Sequence, residues 1–163
     1  MSDRTYTRFT VPLSVLASPV LADAVRAVFG LSTAEFQQAV LSTPEPDEAS
    51  GYEGITVRLI DDRPCLVVED PNDNYGGSHT EQALMRAGIP FLQANCAGDE
   101  YGPTATVFDG QDTETIRLDH DLEPVVGIGM KDGVVVADPG EVADFLRYDC
   151  LRSRTLLWPA AAA

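Results

Sequence analysis

The sequence predicts an α+β fold: a mainly antiparallel sheet with an N-terminal helical hairpin, a central short helix and a C-terminal helix. Three observations carry this. Capping signals open helices at Ser18, Ser32 and Asp138. Short apolar runs joined by Asp- and Gly-bearing turns mark strand hairpins. The order of signals is helices, hairpin, helix, strands, hairpin, helix, without the strict alternation of a parallel α/β chain.

Ser18-Pro19 supplies a capping hydroxyl and a proline at the first helical position. Leu21, Ala24, Val25, Val28 and Phe29 then share one helical face, and Gly30 stops it. Ser32 and Glu35 have the spacing of a capping box for a second helix reaching Leu41, with Phe36, Ala39 and Val40 inward. Residues 42–54, rich in Pro, Ser and acids, read as a linker. The runs Ile55–Ile60 and Cys65–Glu69 form a hairpin about Asp61-Asp62-Arg63-Pro64. A short helix runs from Ser78 or Thr80 to Ala87, closed by Gly88. Ile89–Ala94, Thr104–Phe108 and Thr113–Leu118 read as strands. Val125–Met130 and Val134–Ala137 form a hairpin turning at Lys131-Asp132-Gly133. Asp138-Pro139-Gly140-Glu141 opens the last helix, for which Val142, Phe145, Leu146 and Cys150 form the expected buried stripe. The expected organisation is a helical hairpin over 1–42 packed on the rest, a linker over 43–54, and an α+β domain over 55–163.

The chain carries 26 acids against 11 bases on 163 residues, a formal net charge of -15. Residues 1–50 hold six acids and three bases; residues 51–163 hold 20 and eight. The hydrophobic fraction of 44% is ordinary for a globular domain, so this is not the composition of disorder. A field of this sign repels nucleic acid and anionic membrane and attracts cationic surfaces. A lone lysine, Lys131, beside ten arginines gives the charge a second reading, GC-rich coding or a salt-adapted proteome. Three cysteines without a CxxC give no disulfide framework. The apolar stretch from Val11 to Val20 is broken by Pro12 and Pro19 and makes a poor signal peptide. A soluble, cytoplasmic protein is the expectation, without cofactor.

The acids carry the main functional reading. Asp112 and Glu114 alternate on one predicted strand, and Asp119, Asp121 and Glu123 alternate further along. Extended residues i and i+2 share a face about 6.6 Å apart, comparable to successive phosphates of a nucleic-acid strand. With Asp109, and with Asp99, Glu100 and Tyr101, they form a candidate partner-binding face, which Asp73 and Tyr75 of the loop over 70–81 extend. Such a row imitates a phosphate backbone. Alternating acids are also the ordinary dress of a half-exposed strand.

The loop over 70–81 offers a second constellation. Asp70, Asn72, Asn74 and Glu81 occupy calcium-loop positions 1, 3, 5 and 12. Tyr75 stands where that loop needs glycine, and Pro71 stiffens it, so a polar turn capped by Ser78 and Glu81 reads the same residues. Cys96 with His79 or His120 is a nucleophile–base combination without a family-type surrounding sequence. Gly127-Ile-Gly129 lacks the third glycine and the helix of a dinucleotide fingerprint.

The block from Val67 to Gly110, with Asn74-Tyr75-Gly76, Ala87-Gly88-Ile89-Pro90-Phe91 and Glu100-Tyr101-Gly102, resembles uncharacterised acidic proteins of phages and plasmids. The resemblance implies a context: such proteins include anti-CRISPR and antirestriction inhibitors of host defence nucleases. It brings no catalytic residue. The leading expectation is a non-enzymatic inhibitor that docks by nucleic-acid mimicry on a basic surface of a nuclease or CRISPR effector complex. It would bind neither nucleic acid nor membrane directly. The alternatives are a small metal-dependent hydrolase centred on the loop over 70–81, with Asp70, Asp73, His79 and Glu81, and a salt-adapted domain without a specific partner.

Overall fold

The computed structural model describes residues 5–46, 54–73, 78–96, 102–119 and 123–158. The fold is α+β. Among the described residues the strands are β1 (Thr5–Pro12), β2 (Glu45–Pro46), β3 (Gly54–Ile60), β4 (Arg63–Asp73), β5 (Phe91–Asn95), β6 (Thr104–Phe108), β7 (Thr113–Arg117), β8 (Ile128–Lys131) and β9 (Val134–Ala137). The helices are α1 (Pro19–Val28), α2 (Thr33–Val40), α3 (Ser78–Arg86) and α4 (Pro139–Leu156), and a short 3-10 helix spans Leu13–Ala17. The first seven strands form one sheet in the order β2-β3-β4-β1-β5-β6-β7, and β8 and β9 form a second, two-stranded sheet.

Two features correct the expected architecture. A strand precedes the helical pair, and it is a central one: β1 lies antiparallel between β4 and β5. Its sequence TYTRFTVP alternates Thr7, Phe9 and Val11 on one face with Arg8 and Thr10 on the other. Both sets are buried or nearly so. The contrast between wet and dry positions that marks a half-exposed strand is therefore absent. The sheet is also mixed rather than antiparallel, because β2 runs parallel to Arg58 and Leu59 of β3. Two residues are too few for any periodic signal, and Pro46 is tolerated there because β2 is an edge.

The helical pair follows local chemistry. The Ser18 hydroxyl accepts the Leu21 amide, and Pro19 is the first residue of α1. Ser32 and Glu35 complete both hydrogen bonds of a capping box at α2. Asp61 and Asp62 both adopt positive φ, the two-residue turn that joins β3 to β4 in register.

The sheet separates two layers. One face packs Phe9, Val11, Val57, Leu66, Phe91 and Phe108 against Val25, Ala39 and Leu84 of α1, α2 and α3. Phe9, Phe91 and Phe108 meet in series along it, the first pair edge to face and the second tilted, with centroids 5.9 and 5.8 Å apart in succession. The other face packs Ala105, Val107, Ile116 and Leu118 against Tyr148 and Leu151 of α4. The buried residues of α4 are Tyr148, Leu151, Thr155 and Leu156. The expected stripe is corrected accordingly: Val142 and Phe145 are half-buried, while Leu146 and Cys150 are exposed. The helix buries amphipathic Tyr148 and Thr155, which a search for aliphatic positions passes over. Thr155 donates its hydroxyl to the Phe108 carbonyl at 3.2 Å, which anchors the end of α4 to β6.

Candidate functional site

The face of the sheet under α4 opens into a cleft of about 600 Å³. Its floor is Ala94 of β5 and Ala105 of β6, two small side chains facing a long helix. Phe145, Tyr148, Asp149 and Arg152 form one wall. They follow the i, i+3, i+4, i+7 spacing of a single helical face. Leu118, Glu123 and Pro124 form another wall, and Asp61 of the β3–β4 turn stands at the end.

The segment carrying Glu123 is tied down. Asp119 N–H donates to the Glu123 carbonyl at 2.9 Å, and Glu123 N–H donates to Asp119 Oδ1 at 2.9 Å. Val125 N–H donates to the Arg117 carbonyl at 3.2 Å. Asp138 positions α4: its Oδ1 accepts the amides of Gly140 at 2.8 Å and Glu141 at 3.1 Å. Glu141 in turn accepts from Arg117 and from the Gly127 amide, which fastens the start of the helix to the edge strand.

Electrostatically the cleft is anionic. Its lining has three carboxylates, Asp61, Glu123 and Asp149, and one cation, Arg152. Arg152 is ion-paired with Asp61. Burial pushes the Tyr148 phenol above its usual range; the Arg152 charge opposes that shift, and Asp149 and Glu123 add to it. The phenol is therefore uncharged across the physiological range and stands within the field of three lining charges.

The structure disperses the residues proposed from sequence. Asp112 and Glu114 do share a face, and it is the face that α4 covers. Arg147 Nε is 3.0 Å from Glu114 Oε2. Arg154 Nη2 is 2.6 Å from Asp109 Oδ2 and 3.4 Å from Asp112 Oδ2. Arginines of α4 thus neutralise part of the row, and Asp112, with 70% of its side chain exposed, remains the most open of the three. Asp119 and Glu123 sit beside the cleft. Asp70, Asn72 and Asp73 belong to β4. Asn74, Tyr75, Asp99, Glu100, Tyr101, His120 and Asp121 lie outside the described residues.

Of the rival constellations, Glu81 lies in the first turn of α3, where burial pushes its carboxyl upward, against the charged form a cation needs. Among the described residues no group of three or more His, Cys, Asp or Glu is placed to hold a metal ion. Burial also pushes the Cys96 thiol up, the opposite of what activates a nucleophile. No disulfide joins Cys65, Cys96 or Cys150. Among the described residues no helix is long and apolar enough to cross a membrane.

Sequence reasoning missed Asp61, Tyr148, Asp149 and Arg152. The signal was present as the spacing of Phe145, Tyr148, Asp149 and Arg152 on α4, concealed by the choice of Leu146 and Cys150 for the buried stripe.

A second surface lies next to the start of α4. All eight residues of β8 and β9 are exposed. Ile128 (75%), Met130 (69%) and Val135 (64%) share one face of this hairpin, and Val134 and Val136 lie on the other. Val125 and Leu146 are further exposed aliphatics in adjoining segments.

Comparison with protein-family models, with curated proteins and with solved structures returns no match.

Proposed function

We propose that this chain is a non-enzymatic acidic binding protein that docks on a basic, nucleic-acid-binding surface of a partner protein, as an inhibitor of a nuclease complex would. The observation that carries this reading is a juxtaposition. A chain of net charge -15 presents a hairpin of exposed aliphatics next to α4, the helix that walls the anionic cleft. Charge of that sign accelerates encounter with a cationic surface. Exposed aliphatics on a two-stranded sheet supply apolar area that gains by being covered in a complex. The ion pairs of Asp109, Asp112 and Glu114 with α4 refine the mimicry: the anionic surface on offer is Asp112 with the edge at Asp119 and Glu123, rather than an uninterrupted phosphate-like row.

A competition assay tests this. A nuclease effector complex with an open basic DNA channel is incubated with the protein before DNA is added. Cleavage should be inhibited at low salt and progressively restored as salt rises. The triple variant Asp112→Asn, Asp119→Asn, Glu123→Gln should inhibit less well, while full inhibition by that variant at every salt concentration would count against the proposal.

A further inference from the structure

We propose that the cleft under α4 is a receptor for an alkylguanidinium group, presented as an arginine side chain by the cationic partner. This rests on the reading of the chain as a binder of basic surfaces and names the chemistry by which it would engage one.

The first support is Tyr148. The residue is 7% exposed, lines the cleft, and its hydroxyl has no hydrogen-bond partner among the described residues. Its ring is buried while its hydroxyl lies open to the cleft, so a donor entering there can take the place of solvent. A phenol oxygen accepts from an N–H donor, and a guanidinium carries five such donors and no acceptor.

The second support is charge. Arg152 is already engaged by Asp61, so the charges left to a ligand are Glu123 and Asp149. Neither has an ion pair among the described residues. Both line the cleft together with Tyr148. An anion would meet two like charges there, and a neutral group would gain nothing from their field. A planar cation with donors on several edges meets both carboxylates and the phenol oxygen together.

The third support is shape. The volume, about 600 Å³, lies within the range of roughly 300–1,000 Å³ typical of small-ligand sites, on a scale that admits one long side chain. Ala94 and Ala105 keep the floor low, and Phe145 and Tyr148 offer aromatic surface to a delocalised cation.

The test is calorimetric titration of the intact protein with three probes: the peptide acetyl-Gly-Arg-Gly-amide, free agmatine, and N-butylurea as the neutral isostere. The arginine peptide and agmatine should bind, and N-butylurea should not. Tyr148→Phe and Asp149→Asn should each weaken peptide binding by at least ~10-fold, about 1.4 kcal/mol. Thermal melts of both variants establish that they fold, and Tyr148→Phe removes a single oxygen from a ring whose packing is kept. Agmatine binding without peptide binding would reassign the cleft to a free amine and overturn the proposal. Equal binding of N-butylurea, or affinity unchanged in both variants, would also overturn it. An oligoarginine peptide separates the two levels. If it binds at low salt regardless of the cleft variants, the cleft assignment fails and the charge-driven reading stands. If the short peptide binds but oligoarginine binding ignores salt, the cleft stands and the charge-driven reading fails.

Discussion

At the scale of single residues, two positions concentrate structural cost. Gly110 adopts φ +99°, and a Cβ placed there would come within 3.1 Å of the Trp158 ring. Both backbone and packing therefore demand glycine. Gly110→Ala should destabilise the protein by about 1 kcal/mol or more in urea unfolding. Asp138 satisfies two amides at the start of α4, and Asp138→Ala should cost ~1 kcal/mol in the same measurement. Tyr148 gives a pH signature. Its folded pKa lies above the unfolded value of about 10, chiefly through burial. Above that pH the unfolded chain releases the proton while the native state still holds it, so the unfolded state binds fewer protons. Stability contributed by Tyr148 is therefore complete below about pH 10 and is lost as pH rises through the folded value. Thermal melts from pH 9 upward should show a decline that Tyr148→Phe flattens.

At the scale of elements, the hairpin β8–β9 separates stability from binding. Its side chains already face water, so Ile128→Thr with Val135→Thr should shift unfolding free energy by no more than about 0.5 kcal/mol per site. The same pair should weaken association with a basic partner, measured by titration. A large loss of stability would instead show that the hairpin packs on the body of the protein. Legibility from sequence also divides by element. The caps at Ser18, Ser32 and Asp138 and the turns at Asp61-Asp62 and Asp132-Gly133 are local chemistry, and a chain reads them without knowing its tertiary neighbours. Strand β1 was illegible because burial on both faces, with Thr7 and Thr10 inside, erases the alternation that announces a strand. Strand β2 was too short to announce itself. Such strands depend on non-local pairing, which a linear pattern does not encode. The candidate site was half legible. The acids near residues 112–123 were visible, while their neutralising partners Arg147 and Arg154, and the cleft wall at Tyr148 and Arg152, required α4 to be laid across the sheet.

At the scale of the whole molecule, the charge of -15 acquires a distribution. Several acids are spent internally on arginines of α4 and of the edge strand: Asp61, Asp109, Glu114, Glu141 and Asp144 each meet one. Exposed pairs of this kind contribute roughly 0–1 kcal/mol each and weaken with salt. The remaining carboxylates, at the cleft and along its edge, set the long-range field. The most direct measurement is the affinity for a nuclease effector complex with a basic DNA channel, titrated across ionic strength. Affinity should fall steadily as salt rises, with the loss confined mainly to the association rate. An affinity that stays level from low to high salt would contradict the charge-driven docking proposed for this chain.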